Sequence, residues 1–343
     1  MEEKGRMNIE MQNSIVQHYY SYFTGPQNIM LDVTQKCNFR CKHCYNESCS
    51  TFNDDLDDES MLKIVDQIIE VNPVLVCLCG GEPTMRFELV LKIARKLTRA
   101  GIPVNMVSNG YLLSIDRLKK LYSSGIVSIQ ISLDSYKKYV VDNFRCHEGA
   151  FEGAIKAIDN ILSLNQTPVV SYIPTKLNFR DIGGVAKLLH DKGIKSLRYM
   201  PLVPIGRGNR NLDSLLMNAS DYMEMYGIIS KYQKLLPDFE FTYGDPLEHI
   251  YLFRTNPEAV NAAYEIKSNG DILLSSYLPY TYGNVINYSL RELWDIGLKD
   301  IWKRKDFRNL LMKINTLEDI GSQENFPYRN EDIDLLKTEV ETV

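Results

Sequence analysis

Three cysteines at C-x3-C-x2-C spacing, Cys37, Cys41 and Cys44, are the residues through which this chain can do chemistry. They follow the apolar run Ile29-Met30-Leu31-Asp32-Val33. A strand that ends in a short polar loop can offer several thiolates to one centre. Three ligands this close must come from one wrapping loop. Thiolates select zinc or iron–sulfur centres. Structural zinc is normally closed by four ligands, often as two separated C-x2-C pairs, and this sequence has no second pair. A [4Fe–4S] cluster held by three cysteines leaves one iron without a protein ligand, a place for a small molecule. A zinc knuckle or redox thiols are the alternatives.

A second constellation follows about one strand–helix unit later. The apolar run Val74 to Cys79 enters Gly80-Gly81-Glu82-Pro83. Two glycines let a backbone approach a ligand closely, and carbonyl and carboxylate oxygens there can accept hydrogen bonds from an ammonium group. Further polar residues fall at the ends of apolar runs: Ser108-Asn109-Gly110, then Gln130, Ser132 and Asp134, whose alternation places them on one strand face.

C-x3-C-x-aromatic-C after a first strand, with His43 before Cys44, resembles the signature of the radical S-adenosylmethionine (SAM) enzymes. The resemblance implies an open iron that chelates the amino and carboxylate groups of SAM. It also implies cleavage of SAM to methionine and a 5′-deoxyadenosyl radical that takes a hydrogen atom from substrate. Cys37, Cys41 and Cys44 then hold one [4Fe–4S] cluster, and His43 stands near the adenine. Gly80, Gly81 and Glu82 contact the SAM amino group. Ser108, Asn109, Ser132 and Asp134 are candidates for the ribose and the methionine carboxylate. Asn143-Phe144-Arg145-Cys146 before Gly149-Ala150-Phe151 makes Arg145 a candidate for that carboxylate. Pro204-Ile205-Gly206-Arg207-Gly208 resembles the P-x-G-R-G turn of peptide-modifying members and puts Arg207 beside the adenine. Each has a plainer alternative as a turn, a cap or a surface arginine.

These residues need a scaffold that brings strand ends together. The pattern supplies it: strands over Met30–Thr34, Val74–Cys79, Pro103–Val107, Val127–Leu133, Val169–Ile173 and Ser196–Met200, separated by helical periods such as Leu62, Val65, Ile68 and Ile69. Repeated strand–helix units predict a parallel sheet with crossover helices. Six units do not close an eight-stranded barrel. The expected fold is α/β, a partial (β/α)6 TIM-like barrel, with the site at the carboxyl ends of its strands. The motifs all fall at such ends.

The second half reads differently. A helix over Asp221 to Leu236 precedes two alternating runs around Asn269-Gly270-Asp271, a β-hairpin signal. With Tyr282-Gly283-Asn284-Val285 and Ser289-Leu290-Arg291-Glu292-Leu293-Trp294, this segment resembles the SPASM extension of radical SAM peptide maturases. That extension carries auxiliary clusters. Here Ala262 or Ala263, and Ser275 or Ser276, stand where its cysteines belong, and no cysteine follows Cys146. The organisation expected is a lead-in over 1–27, a barrel over 28–215, a small cysteine-free α+β domain over 216–315 and an acidic tail over 316–343.

Composition narrows the class. The 343 residues carry a formal charge of −5, which argues against a general nucleic-acid binder. No run of eighteen apolar residues reads as a membrane span, and residues 1–17 lack a signal-peptide core. Seven cysteines, an odd number confined to the first half, fit a reducing cytoplasm better than a disulfide framework. The resemblance implies SAM and one cluster as cofactors, a peptide substrate, and an external one-electron reductant such as flavodoxin or ferredoxin. Expected reactions are cross-linking, epimerisation or a related change. With no auxiliary cluster, the chemistry must return its electron to the single cluster or be redox-neutral. Cys79 and Cys146 are the candidate catalytic thiols, as hydrogen donors. The alternatives are a small-molecule substrate, such as a sugar, aminoglycoside or nucleoside precursor, and a non-catalytic iron–sulfur scaffold.

Overall fold

The structure is a computed structural model that describes residues 23–49, 51, 54–255, 263–321 and 333–336. Tyr19, Tyr20, Tyr22 and Ala262, together with most of the acidic tail, lie outside the described residues.

Apolar residues alternate along the early strands, and burial follows the alternation. β1 (Asn28–Asp32), β2 (Leu75–Cys79), β3 (Val104–Ser108), β4 (Ile126–Ser132), β5 (Val169–Tyr172) and β6 (Ser196–Tyr199) lie side by side in sequence order, all parallel. Ile29, Leu31, Val76, Leu78, Val104, Met106, Ile129 and Ile131 turn one face into the apolar core. Helices cover that face. The first, α1 (Asp58–Val71), is capped by Asp57, which accepts from Ser60 N–H at 2.7 Å, and ends at Asn72 in the left-handed conformation. It buries Met61, Ile64, Val65 and Ile68. α2 (Phe87–Arg99), α3 (Ile115–Ser123), α4 (Lys138–Arg145), α5 (Ala150–Ser163) and α6 (Ile182–Asp191) continue the pattern.

Two additions extend the six expected strands. β7 (Glu240–Tyr243) adds parallel to β6, with Leu197 opposite Phe241. At the other edge β8 (Ala263–Ile266) pairs parallel with β1, Ile29 opposite Tyr264. β9 (Asp271–Ser275) runs antiparallel to β8, and β10 (Leu278–Asn284) antiparallel to β9. The expected hairpin therefore forms at Asn269-Gly270-Asp271, with Gly270 at φ +92°. Its strands continue the barrel sheet. Among the described residues the eleven strands make one sheet, with β11 (Ile333–Asp334) at the far edge. The fold is the partial TIM-like barrel expected.

The inner face of the strands is polar. In register, Glu265 stands opposite Met30 and Met30 opposite Cys77; Cys77 stands opposite Asn105. Asp32 stands opposite Cys79, Ser132 opposite Ser171, and Ser171 opposite Arg198.

Candidate active site

The cysteine loop leaves β1 and is tied at both ends. Cys37 N–H donates to Cys49 O at 3.3 Å, and Cys49 N–H donates to Gln35 O at 3.1 Å. The Gln35 side chain bridges Asn46 and Ser48. Cys49 thus closes the loop through its backbone.

Three other segments hold the loop from outside, and each contains a residue expected to touch SAM. The first is the glycine turn. A Cβ on Gly81 would lie 2.2 Å from Lys36 O, and one on Gly80, at φ +126°, would lie 2.3 Å from Thr34 O. Gly81 N–H donates to Thr34 O at 2.7 Å and Glu82 N–H to Lys36 O at 2.8 Å. The close approach that requires glycine here is between this turn and the cysteine loop. Glu82 is buried. Its carboxylate accepts from Thr84 N–H and hydroxyl, from Ser108 hydroxyl at 2.9 Å and from Asn109 N–H at 2.8 Å. Burial raises its pKa against the pull of those bonds. Asn109 donates on to Asn38 in the loop at 2.9 Å. Glu82, Ser108 and Asn109 therefore lock the ends of β2 and β3 together.

The second segment is the end of α4. Lys42 N–H donates to Phe144 O at 2.9 Å, and the His43 ring stacks on Phe144 at 4.2 Å. Burial holds the His43 pKa down at about 4, so its ring is neutral at pH 7. Arg145 is buried, with Nη2 2.5 Å from Asp134 Oδ2 and Nη1 4.0 Å from Cys41 Sγ. Asp134 Oδ1 accepts from Ile173 N–H at 3.1 Å. Asp134 and Arg145, two separate SAM candidates in the sequence, are partners here. Cys146 follows in the left-handed position that ends α4, exposed, its thiol 3.5 Å from Asn143 O.

The third segment is the turn after β6. Gly206, at φ +56°, sits where a Cβ would be 2.3 Å from Tyr45 O. Arg207 Nε donates to Cys41 O at 2.9 Å and Nη1 to Ser48 O at 3.0 Å. The expected adenine neighbour is a brace for the loop.

The loop suits a cluster by its donor chemistry. It presents three soft sulfur ligands, with Phe39 N–H 3.4 Å from Cys37 Sγ and the Arg145 cation beside Cys41. Burial pushes the Cys37 thiol up to about 11 and the Cys41 thiol up to about 12. Such groups become thiolates when a metal centre replaces the proton. Among the described residues no three His, Cys, Asp or Glu side chains converge on a single ion. The three thiolates of a [4Fe–4S] cluster bind three different irons.

Residues 31–189 match the radical SAM superfamily. This stretch is a radical SAM domain. The chain is 25% identical over 292 residues to Fe-coproporphyrin III synthase of Methanosarcina barkeri, spanning 78% of this chain and 73% of that one. It is 27% identical over 229 residues to mycofactocin maturase MftC of Mycolicibacterium smegmatis, spanning 66% and 58%. SuiB of Streptococcus suis bound to SAM superposes at TM-score 0.67 with 15% identity, over 91% of this chain and 77% of SuiB. SuiB bound to its precursor peptide SuiA superposes at 0.66 with 14% identity, over 96% and 80%. The chain thus carries a radical SAM domain, and its cofactors are a [4Fe–4S] cluster and SAM. Among the described residues no helix is long and apolar enough to cross a membrane.

The inner barrel face beside the loop carries residues that the sequence did not single out. Asp32 and Glu265 are both buried there. Asn46 donates to Asp32 at 3.1 Å, and Ser276 hydroxyl donates to Glu265 at 2.6 Å. Burial, then the neighbouring Glu265 charge, raises the Asp32 pKa well above the carboxylate range. Cys79 is buried and Cys77 half-buried on this face. Tyr277 reaches Met200 Sδ at 3.7 Å from the β9–β10 turn. Asp32 and Glu265 left no local signal, because they meet only through the β1–β8 pairing.

Proposed function

We propose that this enzyme removes a hydrogen atom from a ribosomally made peptide held against the inner barrel face, leading to cross-linking, epimerisation or a related change. Cys37, Cys41 and Cys44 would hold the cluster, and the cluster with SAM supplies a 5′-deoxyadenosyl radical. The chain's own residues then position and protect. The Gly80 and Gly81 carbonyl oxygens would serve the SAM amino group, with the Glu82 carboxylate holding the turn in place. Ser132 at the end of β4 would serve the ribose, and His43 and Arg207 would lie beside the adenine. Arg145, already neutralised by Asp134, gives the methionine carboxylate a donor edge at Nε. Cys79 would give its thiol hydrogen to a substrate carbon radical; Cys146, exposed at a helix end, is a weaker donor. An external one-electron reductant such as flavodoxin or ferredoxin, and a cytoplasmic location, complete the reading.

One observation carries the peptide assignment. The C-terminal hairpin, whose sequence resembles the SPASM extension, joins the barrel at β1 and brings Glu265, Ser276 and Tyr277 to its inner face. The maturase among the relatives supports the same reading. A second reading, a tetrapyrrole substrate, rests on the haem-pathway relatives, which cover more of this chain. The test is anaerobic turnover with SAM and reductant on two substrates: a short peptide encoded beside the gene, and an iron porphyrin bearing propionates. The proposal expects a mass change in the peptide coupled to 5′-deoxyadenosine. Conversion of the porphyrin alone would replace it with the second reading.

A further inference from the structure

Cys77 and Cys79 stand two apart on β2 and so share a face, the inner one. Their sulfurs are 3.6 Å apart, with Cys79 donating to Cys77. Cys79 is buried but lies outside the main apolar cluster, as does Cys77; that cluster takes Val76 and Leu78 from the same strand. Two thiols in contact on a polar surface are not the inert buried cysteine of a protein core.

The two are unequal. Cys77 is half-buried, whereas Cys79 is buried at 5% exposure. The hydrogen bond from Cys79 lowers the Cys77 pKa against the effect of burial, and the Arg198 cation lowers it further. That bond, burial, the Cys77 charge and the Asp32 and Glu265 carboxyls all raise Cys79. A more acidic, more accessible thiol beside a buried, less acidic one has the form of an attacking and a resolving cysteine.

We propose that Cys77 and Cys79 form a thiol–disulfide exchange site inside the barrel, with Cys77 as the attacking thiol and Cys79 as the resolving one. The partner is a low-molecular-weight disulfide or dithiol able to enter the lumen. The Cys77 thiolate attacks one sulfur of RSSR, forming a Cys77–SR mixed disulfide and releasing RS⁻. Cys79 gives up its proton to solvent and displaces the second RS⁻, closing Cys77–S–S–Cys79. Both protons are lost by the chain, and two RSH are formed. A dithiol reverses the sequence.

Strand geometry sets the character of the bridge. Residues two apart on a strand have Cα atoms about 6.6 Å apart, near the upper limit of disulfide spans. Bridges at that limit are the readily reduced kind that exchange rather than staple. Cys79 also precedes Gly80, whose turn is fixed against Thr34, so closure must be accommodated on the Cys77 side. The inference deepens the proposed function, on which its catalytic meaning rests: only the reduced pair offers an S–H to a substrate radical.

The test needs neither substrate nor SAM. Cluster-loaded enzyme is equilibrated anaerobically with glutathione buffers from fully reduced to fully oxidised, quenched with N-ethylmaleimide and digested with trypsin. Residues 64–86 form one tryptic peptide that holds Cys77 and Cys79 and no other cysteine. The expected result is loss of both labels together, a mass 2 Da below the dithiol form, and full recovery with excess reduced glutathione. In Cys79→Ser the same buffers should leave a stable glutathione adduct on Cys77. Labelling of both residues at every ratio, with Cys49 or Cys146 oxidised first, would overturn the proposal. If exchange occurs but peptide turnover is the same from reduced and oxidised enzyme, the site stands and the hydrogen-donor role of Cys79 falls.

Discussion

Asp134→Leu should be among the most damaging single changes in the barrel. It leaves Arg145, with 7% side-chain exposure, as a buried guanidinium without its carboxylate, which is itself 0% exposed. Breaking one side of a buried ion pair costs about 3–5 kcal/mol, because the surviving charge stays desolvated. The change also strips the acceptor from Ile173 N–H, adding about 1–3 kcal/mol if that group finds no other partner. Domains are typically stable by about 5–15 kcal/mol, so the variant should lose from about a quarter to all of its stability. Arg145→Met alone should cost less, since the Asp134 carboxylate keeps its hydrogen bond from Ile173 N–H. The double variant Asp134→Leu/Arg145→Met should recover about 3 kcal/mol relative to the sum of the singles, because no charge is stranded. Urea unfolding of the cluster-free protein, followed by circular dichroism, reads all three midpoints. If Asp134→Leu loses less than about 1 kcal/mol, or the double variant equals the sum of the singles, the pair is not the buried brace described.

Other consequences follow from the same contacts. Gly81→Ala must place a methyl 2.2 Å from Lys36 O, a backbone atom, so it should separate the turn from the cysteine loop. Iron content after reconstitution should fall by more than half, whereas Gly227→Ala, in a helix and with no atom within 4 Å of the added carbon, should not change it. Arg207→Lys should keep the fold but lose the two-point hold on Cys41 O and Ser48 O; cluster loss to a chelator should then run several-fold faster. Asp32→Asn should stabilise the protein at pH 7. The folded pKa of Asp32 is raised, chiefly by burial and by Glu265, so its contribution is whole below about pH 4, the unfolded value, and is lost as pH rises through the folded pKa. Melting temperatures should show the variant ahead of the parent above that window and level with it or behind below it.

The cysteine loop was legible because its chemistry is local: three ligands within eight residues need no fold to be recognised. The barrel was legible because six apolar runs alternate with helical periods. What was not legible depends on contacts between distant segments. The inner-face acids come from β1 and β8, which pair only after the whole barrel has formed. β7 escaped notice because it is four residues long at a sheet edge, with Glu240, Thr242 and Tyr243 exposed. The glycines of the turn were read as room for a ligand, and the structure shows them making room for Thr34 and Lys36. Asp134 and Arg145 were read as separate ligand contacts, and their pairing was not legible, because sequence cannot show that two charged residues eleven apart are buried against each other.

The most direct measurement of the central claim is iron, sulfide and 5′-deoxyadenosine in anaerobically reconstituted protein, compared with a Cys37→Ala/Cys41→Ala/Cys44→Ala variant. The account predicts about four irons and four sulfides per chain, SAM cleavage with a strong reductant, and loss of both in the variant. Eight or more irons in the parent would mean a second cluster that the cysteine-free C-terminal half has no thiols to hold. Four irons without SAM cleavage under any reductant would contradict the catalytic assignment itself.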